Sequence, residues 1–377
     1  MKIGILANEF GDPALGRMGG FGWAARETAR LLLAHPELGL EPVFLHGDRR
    51  HPGGAIHGVR VVPRGREHLR HVLRLRAERL DLLLAIDWRP GYRGTALALP
   101  RTPLVVWVRD PRTPEDVRRV ASVRIPGAPD REPAGLSAID CTSLARVAAI
   151  SRLLRRRVAL VTPEPSLEAR LQGTYGLRGR LGLLPNPVAV PPRPEAKSER
   201  PSVAFLGRLD PYKRPWLLVS LARAMPEVEF TAAGSANFGG AGGWRPPADT
   251  PPNLRFVGHV DGAVKERLLS RAWVLVNTSV HEGLAVSFLE ALACRTPLLA
   301  FVDTGGVVSR FGASAGPEEG SGEAGLPRLE AALRRLLGDG ALRARLGREG
   351  RDWVLATHGE ERFLGAFRRL CRELAGG

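Results

Sequence analysis

The sequence predicts an α/β protein made of two parallel-sheet domains. Three observations carry that reading. Short apolar runs such as Leu82 to Ile86 and Leu104 to Val108 alternate with longer stretches of helical periodicity, as in successive βαβ units. The chain has 377 residues, which suits two domains or one large α/β unit. A proline-rich and charged stretch, PPRPEAKSERP at 191–201, has few groups to bury and reads as an exposed connection between them.

Composition narrows the class. An apolar fraction of 44% supports sizeable cores, and no apolar run reaches the roughly 20 residues that span a bilayer. The start, MKIGILANEF, reads as a first strand and lacks the apolar stretch and cleavage site of a signal peptide, so a cytoplasmic protein is expected. Cys141, Cys294 and Cys371 are far apart and make no metal-ligand spacing; neither a metal site nor a structural disulfide is expected. The net charge of +16 suits an anionic nucleotide, an acidic lipid surface or nucleic acid, or simply reflects an arginine-biased genome. No zinc finger, RNP pattern or aromatic-basic interleaving supports nucleic acid. Lysine occurs only at Lys2, Lys197, Lys213 and Lys265, which draws attention to each.

In the first half, Lys2 to Ala7 reads as a strand, and a glycine-rich loop, Gly16 to Gly22, precedes a helix from Trp23 to Ala34. Strands follow at Glu41 to Leu45 and Val59 to Val62. Leu69 to Arg79 reads as a basic helix, and the basic segment from Arg64 is a candidate for peripheral contact with an anionic membrane. Two strand ends carry polar groups: Asp87 after Leu82 to Ile86, and Arg109-Asp110 after Leu104 to Val108. Arg109 has the donor fork to bind a phosphate or an acidic acceptor, or pairs with Asp110. Arg112 to Val123 suggests a turn and short helix. Strand endings at Ser137 to Asp140 and Arg157 to Val161 flank a helix from Cys141 to Leu154. A helix at Ser166 to Tyr175 and a strand at Leu181 to Leu184 complete the half.

In the second half, a strand from Ser202 leads through Gly207-Arg208 to Lys213 and a helix from Trp216 to Arg223. Strands follow at Val228 to Ala232 and Leu254 to Val260, with a long glycine-rich loop at Gly234 to Gly243 between them. A helix at Val264 to Ser270 precedes the most informative stretch, WVLVNTSVHEGLAVSFLEALACRT at 273–296. Its strand, Trp273 to Val276, ends in polar groups. A loop carries Glu282, and a helix begins at Ser287 with Glu290 in its first turn. Strand C-terminal ends and helix starts are where open α/β sheets bind anionic ligands. Ser287 and Glu290 also fit a capping box, with Ser287 as N-cap, and Glu282 also fits a solvated loop acid. Leu298 to Phe301 is the next strand, Gly312 to Pro327 reads as loop, and helices are expected at Leu329 to Leu337, Arg343 to Arg351 (with Trp353 just beyond) and Arg362 to Leu374.

The 273–296 stretch resembles the donor-binding motif of retaining, nucleotide-sugar-dependent glycosyltransferases of the glycogen-synthase-like type, glycosyltransferase family 4: two glutamates separated by seven residues, here Glu282-Gly283-Leu284-Ala285-Val286-Ser287-Phe288-Leu289-Glu290. Gly207-Arg208 and Lys213 resemble that family's diphosphate-holding arginine and lysine. Gly19-Gly20 resembles its first loop, and Pro185-Asn186-Pro187-Val188 its P-N-G-V junction, with Pro187 in place of the glycine. Three departures stand out. Arg109 replaces the histidine of an H-D pair, Arg295 replaces a common glycine, and Ser309 stands where G-G-x-x-E has its acid.

The resemblance implies the GT-B fold, two Rossmann-like domains facing an interdomain cleft. Residues 1–188 would be the acceptor-side domain, 189–201 a linker, and 202–355 the nucleotide-sugar domain, with 356–377 packing back on the first. It implies donor binding by Gly19, Gly20, Arg208, Lys213, Gly258, Glu282, Ala285, Val286, Ser287 and Glu290, and a catalytic group of Glu282, Arg208 and Lys213. Acceptor contacts are implied at Arg109, Asp110 and Asp87. The activity implied is metal-independent, retaining transfer of a sugar from a nucleotide-diphosphate donor to a carbohydrate or lipid-linked hydroxyl. A nucleotide-sugar epimerase or hydrolase, or a non-catalytic sugar or nucleic-acid binder, is the alternative.

Overall fold

A computed structural model describes residues 1–12, 19–47, 50–128, 142–175, 181–236 and 243–375. The expected strand ending at Ser137 to Asp140, Cys141, the loop residues Gly16 to Met18 and most of the 234–243 loop lie outside the described residues. The chain forms two compact units. One comprises Met1–Thr113, Ile139–Pro187 and Glu360–Gly377; the other comprises Pro114–Ala138 and Val188–Gly359.

The first unit contains β1 (Lys2–Ala7), α1 (Gly20–Ala34), β2 (Glu41–His46), β3 (Gly54–Ile56), β4 (Val59–Val61), α2 (His68–Ala77), β5 (Leu82–Ile86), α3 (Tyr92–Ala98) and β6 (Leu104–Trp107). After α4 (Pro114–Ala121), which belongs to the second unit, it resumes with α5 (Thr142–Leu153), β7 (Val158–Thr162), α6 (Leu167–Tyr175) and β8 (Gly182–Leu183). Its eight strands run in the order β3-β4-β2-β1-β5-β6-β7-β8, all parallel except the β3–β4 pair. Strand order reverses beside β1, so the ends of β1 and β5 flank a topological switch point. The central strands are continuous apolar runs because helices cover both sheet faces; Leu82 to Ile86 is wholly buried.

The second unit holds β9 (Ser202–Leu206), α7 (Trp216–Ala224), β10 (Glu229–Ala233), β11 (Leu254–Gly258), α8 (Gly262–Arg271), β12 (Val274–Asn277), α9 (Val286–Ala293), β13 (Leu298–Ala300), α10 (Val307–Phe311), β14 (Gly312–Ser314), α11 (Leu326–Gly338) and α12 (Gly340–His358). Its sheet is all parallel, in the order β11-β10-β9-β12-β13-β14, with the switch point between β9 and β12. Phe205, Leu217, Leu221, Phe230, Val276, Leu299 and Leu333 form its core, and Val120 and Val123, at and just beyond α4, join them. α13 (Glu360–Ala375) closes the chain within the first unit, where Phe363 lies 5.8 Å from Trp107, ring centre to ring centre.

Both parallel sheets follow the sequence reading, and the differences are local. α1 begins at Gly20, so Gly20 and Gly22 are helical rather than loop residues. Trp353 lies inside α12, which runs on to His358 and turns the ring onto Phe311. The 312–327 stretch is not all loop: Gly312–Ser314 pairs with β13 as an edge strand. The proline-rich 191–201 segment is largely exposed, as its composition predicts, yet it is tied to the second unit. The Ser198 N–H donates to Arg271 O at 2.9 Å and Lys197 Nζ to Ala272 O at 2.9 Å.

Candidate functional site

The second unit gathers its charged groups at the carboxyl ends of β9 and β12. Three strand ends are sewn together first: Gly207 N–H donates to Ala233 O at 3.0 Å, and Gly234 N–H to Gly258 O at 2.6 Å. Gly234 has φ of 147°, and a Cβ there would lie 1.8 Å from Gly207 O, so only glycine allows the approach. The chain then turns through Arg208 to a single 3-10 turn, Pro211–Lys213, and Arg214.

Lys213 Nζ is hydrogen-bonded to Glu282 Oε1. The same oxygen accepts from Asn277 Nδ2 at 2.9 Å and from Ser279 Oγ at 2.6 Å. Burial alone would push the Glu282 carboxyl up, but Lys213 and these donors hold it below the usual carboxylate range. Burial likewise opposes the charge on Lys213, and Glu282 more than offsets it, so the ammonium is raised. Glu282 is therefore a buried, ionised carboxylate rather than a solvated loop acid. Arg208 pairs with buried Asp210 at 3.0 Å and donates to the Tyr212 hydroxyl at 2.7 Å.

The loop bearing Glu282 is held from below by Arg214. Its fully buried guanidinium donates to Thr278 O at 2.7 Å, Ser279 O at 3.1 Å and Glu318 O at 2.9 Å, and stacks 4.9 Å from Phe301. Burial lowers its pKa to about 10. His281 Nδ1, also buried, sits 3.3 Å from Asp116 Oδ1 on α4, and Thr304 Oγ1 donates to Glu282 O at 3.0 Å. Sequence reasoning missed Asn277, Ser279, Arg214 and His281. For Asn277 and Ser279 the visible signal was the polar run that ends β12; Arg214 and His281 had none.

α9 starts one residue before the expected position, with Ala285 as N-cap and no capping side chain. Ser287 is thus inside the first turn and makes no capping box. Glu290 turns instead to α8, where Lys265 Nζ lies 2.7 Å from its Oε1 and 3.2 Å from Asp261 Oδ1. Ser309 replaces an expected acid, but its hydroxyl donates to Asp303, which also accepts from Val308 N–H at 2.7 Å. A carboxylate thus supports this loop from six residues upstream. Arg295, in place of glycine, is held at φ of 58°. His259 follows the end of β11 and is exposed.

The first unit carries a separate cluster. Arg109 is buried and donates to Asn186 Oδ1 at 3.2 Å from Nε and 2.7 Å from Nη2, and also to Gly20 O. Asp110 pairs with Arg112 at 2.8 Å, and burial lowers the Arg109 pKa to about 10 against the opposing charges of Asp87 and Asp110. Asp87 is buried at φ of 61°. Its Oδ1 accepts from Trp88 N–H at 2.8 Å, and its Oδ2 is buried without a hydrogen-bond partner. Burial first, then the charge of Asp110, pushes its pKa up to about 6. At the start of α1, Glu9 Oε2 accepts from Gly19 N–H at 2.6 Å, so a carboxylate already occupies that helix end.

Among the described residues, no group of three His, Cys, Asp or Glu side chains is placed to hold a metal ion, and no helix is long and apolar enough to cross a membrane. Residues 190–353 match the family model for Glycosyl transferases group 1. No curated protein matches the chain. Among solved structures, the chain is similar to a sucrose-phosphate synthase from Thermosynechococcus elongatus (18% identity, 100% of this chain and 99% of that one, TM-score 0.70). It is also similar to Anabaena Alr3699/HepE in complex with UDP-glucose (16% identity, 98% and 99%, TM-score 0.68). A third is AviGT4, a glycosyltransferase involved in avilamycin A biosynthesis (17% identity, 100% and 98%, TM-score 0.58). At these identities the likeness is one of fold, and the chain has the GT-B fold of two Rossmann-like domains.

Proposed function

We propose that the chain is a retaining glycosyltransferase of family 4 that moves a sugar from a nucleotide-diphosphate donor to a hydroxyl acceptor. The observation that carries this is the convergence of Arg208, Lys213, Glu282 and Glu290 on the carboxyl-end edge of one sheet, beside an α9 N-terminus that no side chain caps. A diphosphate needs multidentate cationic donors, and Arg208, Lys213 and the α9 N–H groups of Val286 and Ser287 supply them. Glu290 accepts from the ribose hydroxyls, with Gly258 at the base. Glu282, held ionised, orients sugar hydroxyls and stabilises positive charge on the ring as the bond to phosphate breaks. The departing phosphate takes the acceptor's proton on the same face, which requires no separate base.

We assign acceptor recognition to the first unit's cluster of Asp87, Arg109 and Asp110. Gly19 and Gly20 serve there as backbone support, since Glu9 holds the helix start. One of the similar structures is complexed with UDP-glucose, which favours a nucleotide-sugar donor for this chain as well. A lipid-linked acceptor fits α2, which exposes Leu69 and Leu73 beside Arg70 and Arg74. Binding to anionic vesicles that survives moderate salt supports that placement; no binding at low salt refutes it.

Calorimetric titration with UDP, GDP, ADP and their sugar conjugates tests the central reading. Selective binding of one nucleotide, weakened by Glu290→Ala, supports it. No binding across the panel sinks it.

A further inference from the structure

α8 brings one of the chain's four lysines to Glu290, and neither its neighbours nor its burial is ordinary for a surface helix. Lys265 stands one turn into α8, with its side chain only 16% exposed. Its ammonium is shared between Glu290 Oε1 at 2.7 Å and Asp261 Oδ1 at 3.2 Å. Asp261 is itself committed, since it caps α8 by accepting Gly262 N–H at 2.9 Å. The three charged groups thus link the start of α8 to the first turns of α9 across the unit's carboxyl-end edge.

We propose that Lys265 is a positioning residue of the donor site, one that sets the preference for a ribose over a deoxyribose nucleotide by fixing the Glu290 carboxylate. The inference rests on the reading of Glu290 as the ribose ligand. A carboxylate on a flexible side chain gains little selectivity from a hydroxyl it can also replace with water. One oxygen pinned by an ammonium leaves the carboxylate a single orientation, so its hydrogen bonds to a hydroxyl pair are pre-organised. Without the lysine, two carboxylates face each other across the helix starts, and Glu290 turns toward solvent to relieve the repulsion.

The test measures the affinity of wild type, Lys265→Met and Lys265→Arg for UDP, GDP and ADP and for the 2′-deoxy form of each. A charge-assisted hydrogen bond is worth ~10-fold or more in affinity, so the wild type is expected to prefer the ribose form of its nucleotide by at least about that factor. Lys265→Met is expected to bind the ribose form roughly tenfold more weakly and to lose most of the preference, within about threefold of parity. Lys265→Arg keeps the charge and is expected to restore the preference. Folding of the variants is checked by their thermal transitions. A Met variant that binds more weakly with its ribose preference intact overturns the proposal, because that is the signature of a merely structural lysine. Absence of nucleotide binding by the wild type overturns the reading of the site, and the role of Lys265 with it.

Discussion

Replacing Asp87 by asparagine should make the protein more stable at pH 8 than the wild type relative to pH 4, and the size of that increment follows from burial. The folded state raises the carboxyl from 3.8 to about 6. A shift of that size corresponds to roughly 3 kcal/mol between the two protonation states. Because the folded value lies above the unfolded one, the contribution favouring the fold is fully present only below the unfolded value of 3.8. It is lost as pH rises through about 6, leaving an ionised, buried carboxylate. Asparagine tolerates the left-handed backbone at this position and keeps an oxygen for the Trp88 N–H. Its buried amide adds a pH-independent offset of about 1–3 kcal/mol, so the informative quantity is the slope of the difference. Urea unfolding of both proteins from pH 4 to pH 8 should show a difference rising by roughly 2–3 kcal/mol across the window. His358, buried and held neutral down to about 4, gives both proteins the opposite trend at acid pH and cancels. A flat difference curve would refute the burial argument. A group so costly at a strained position also predicts that the stabilised variant loses the proposed transferase activity.

Three other outcomes follow from the second unit. Lys213→Met leaves Glu282 buried without its counter-ion and should cost about 3 kcal/mol or more at pH 7; adding Glu282→Gln should recover part of it, and an additive double-mutant cycle would show that the pair is not coupled. Arg214→Met strips donors from the buried carbonyls of Thr278, Ser279 and Glu318 and should destabilise by about 3 kcal/mol in chemical denaturation. Arg295→Gly relieves a left-handed arginine at φ of 58° and should raise the transition by about 2 °C in calorimetry, the net of relieved strain and the entropy of a freer unfolded chain.

What was legible in the sequence were features that depend on neighbours along the chain. Apolar runs such as Leu82 to Ile86 announce buried parallel strands whatever they pair with, and the alternation with helices sets the architecture. Short elements escaped: Gly54–Ile56, Val307–Phe311 and Gly312–Ser314 gain order only from what they pack against. The acids and cations of the candidate site were visible one at a time, but their pairings were not. Nothing in the spacing of Lys265 and Glu290 shows that α8 and α9 bring them to 2.7 Å. The capping box failed for the same reason. A motif of four residues was read without the lysine that competes for its glutamate.

The pairings also change the meaning of the chain's net charge. At the second unit's carboxyl-end edge, the cations Arg208, Lys213 and Lys265 are met by Asp210, Glu282, Asp261 and Glu290, three positive groups against four negative. The formal excess of +16 therefore lies elsewhere in the chain. A bare polyanion gains little from such a balanced cluster, because each phosphate oxygen must displace or crowd a carboxylate that already satisfies the cation. A nucleotide-sugar presents both halves of the complement. In the proposed site its diphosphate takes donors of Arg208, Lys213 and α9, while its ribose hydroxyls donate to a Glu290 still held by Lys265 and its sugar hydroxyls donate to Glu282. On the proposed reading, such a balance favours a ligand carrying acceptors and donors a few bonds apart over inorganic phosphate or nucleic acid, and the selectivity comes from pairing rather than from field strength.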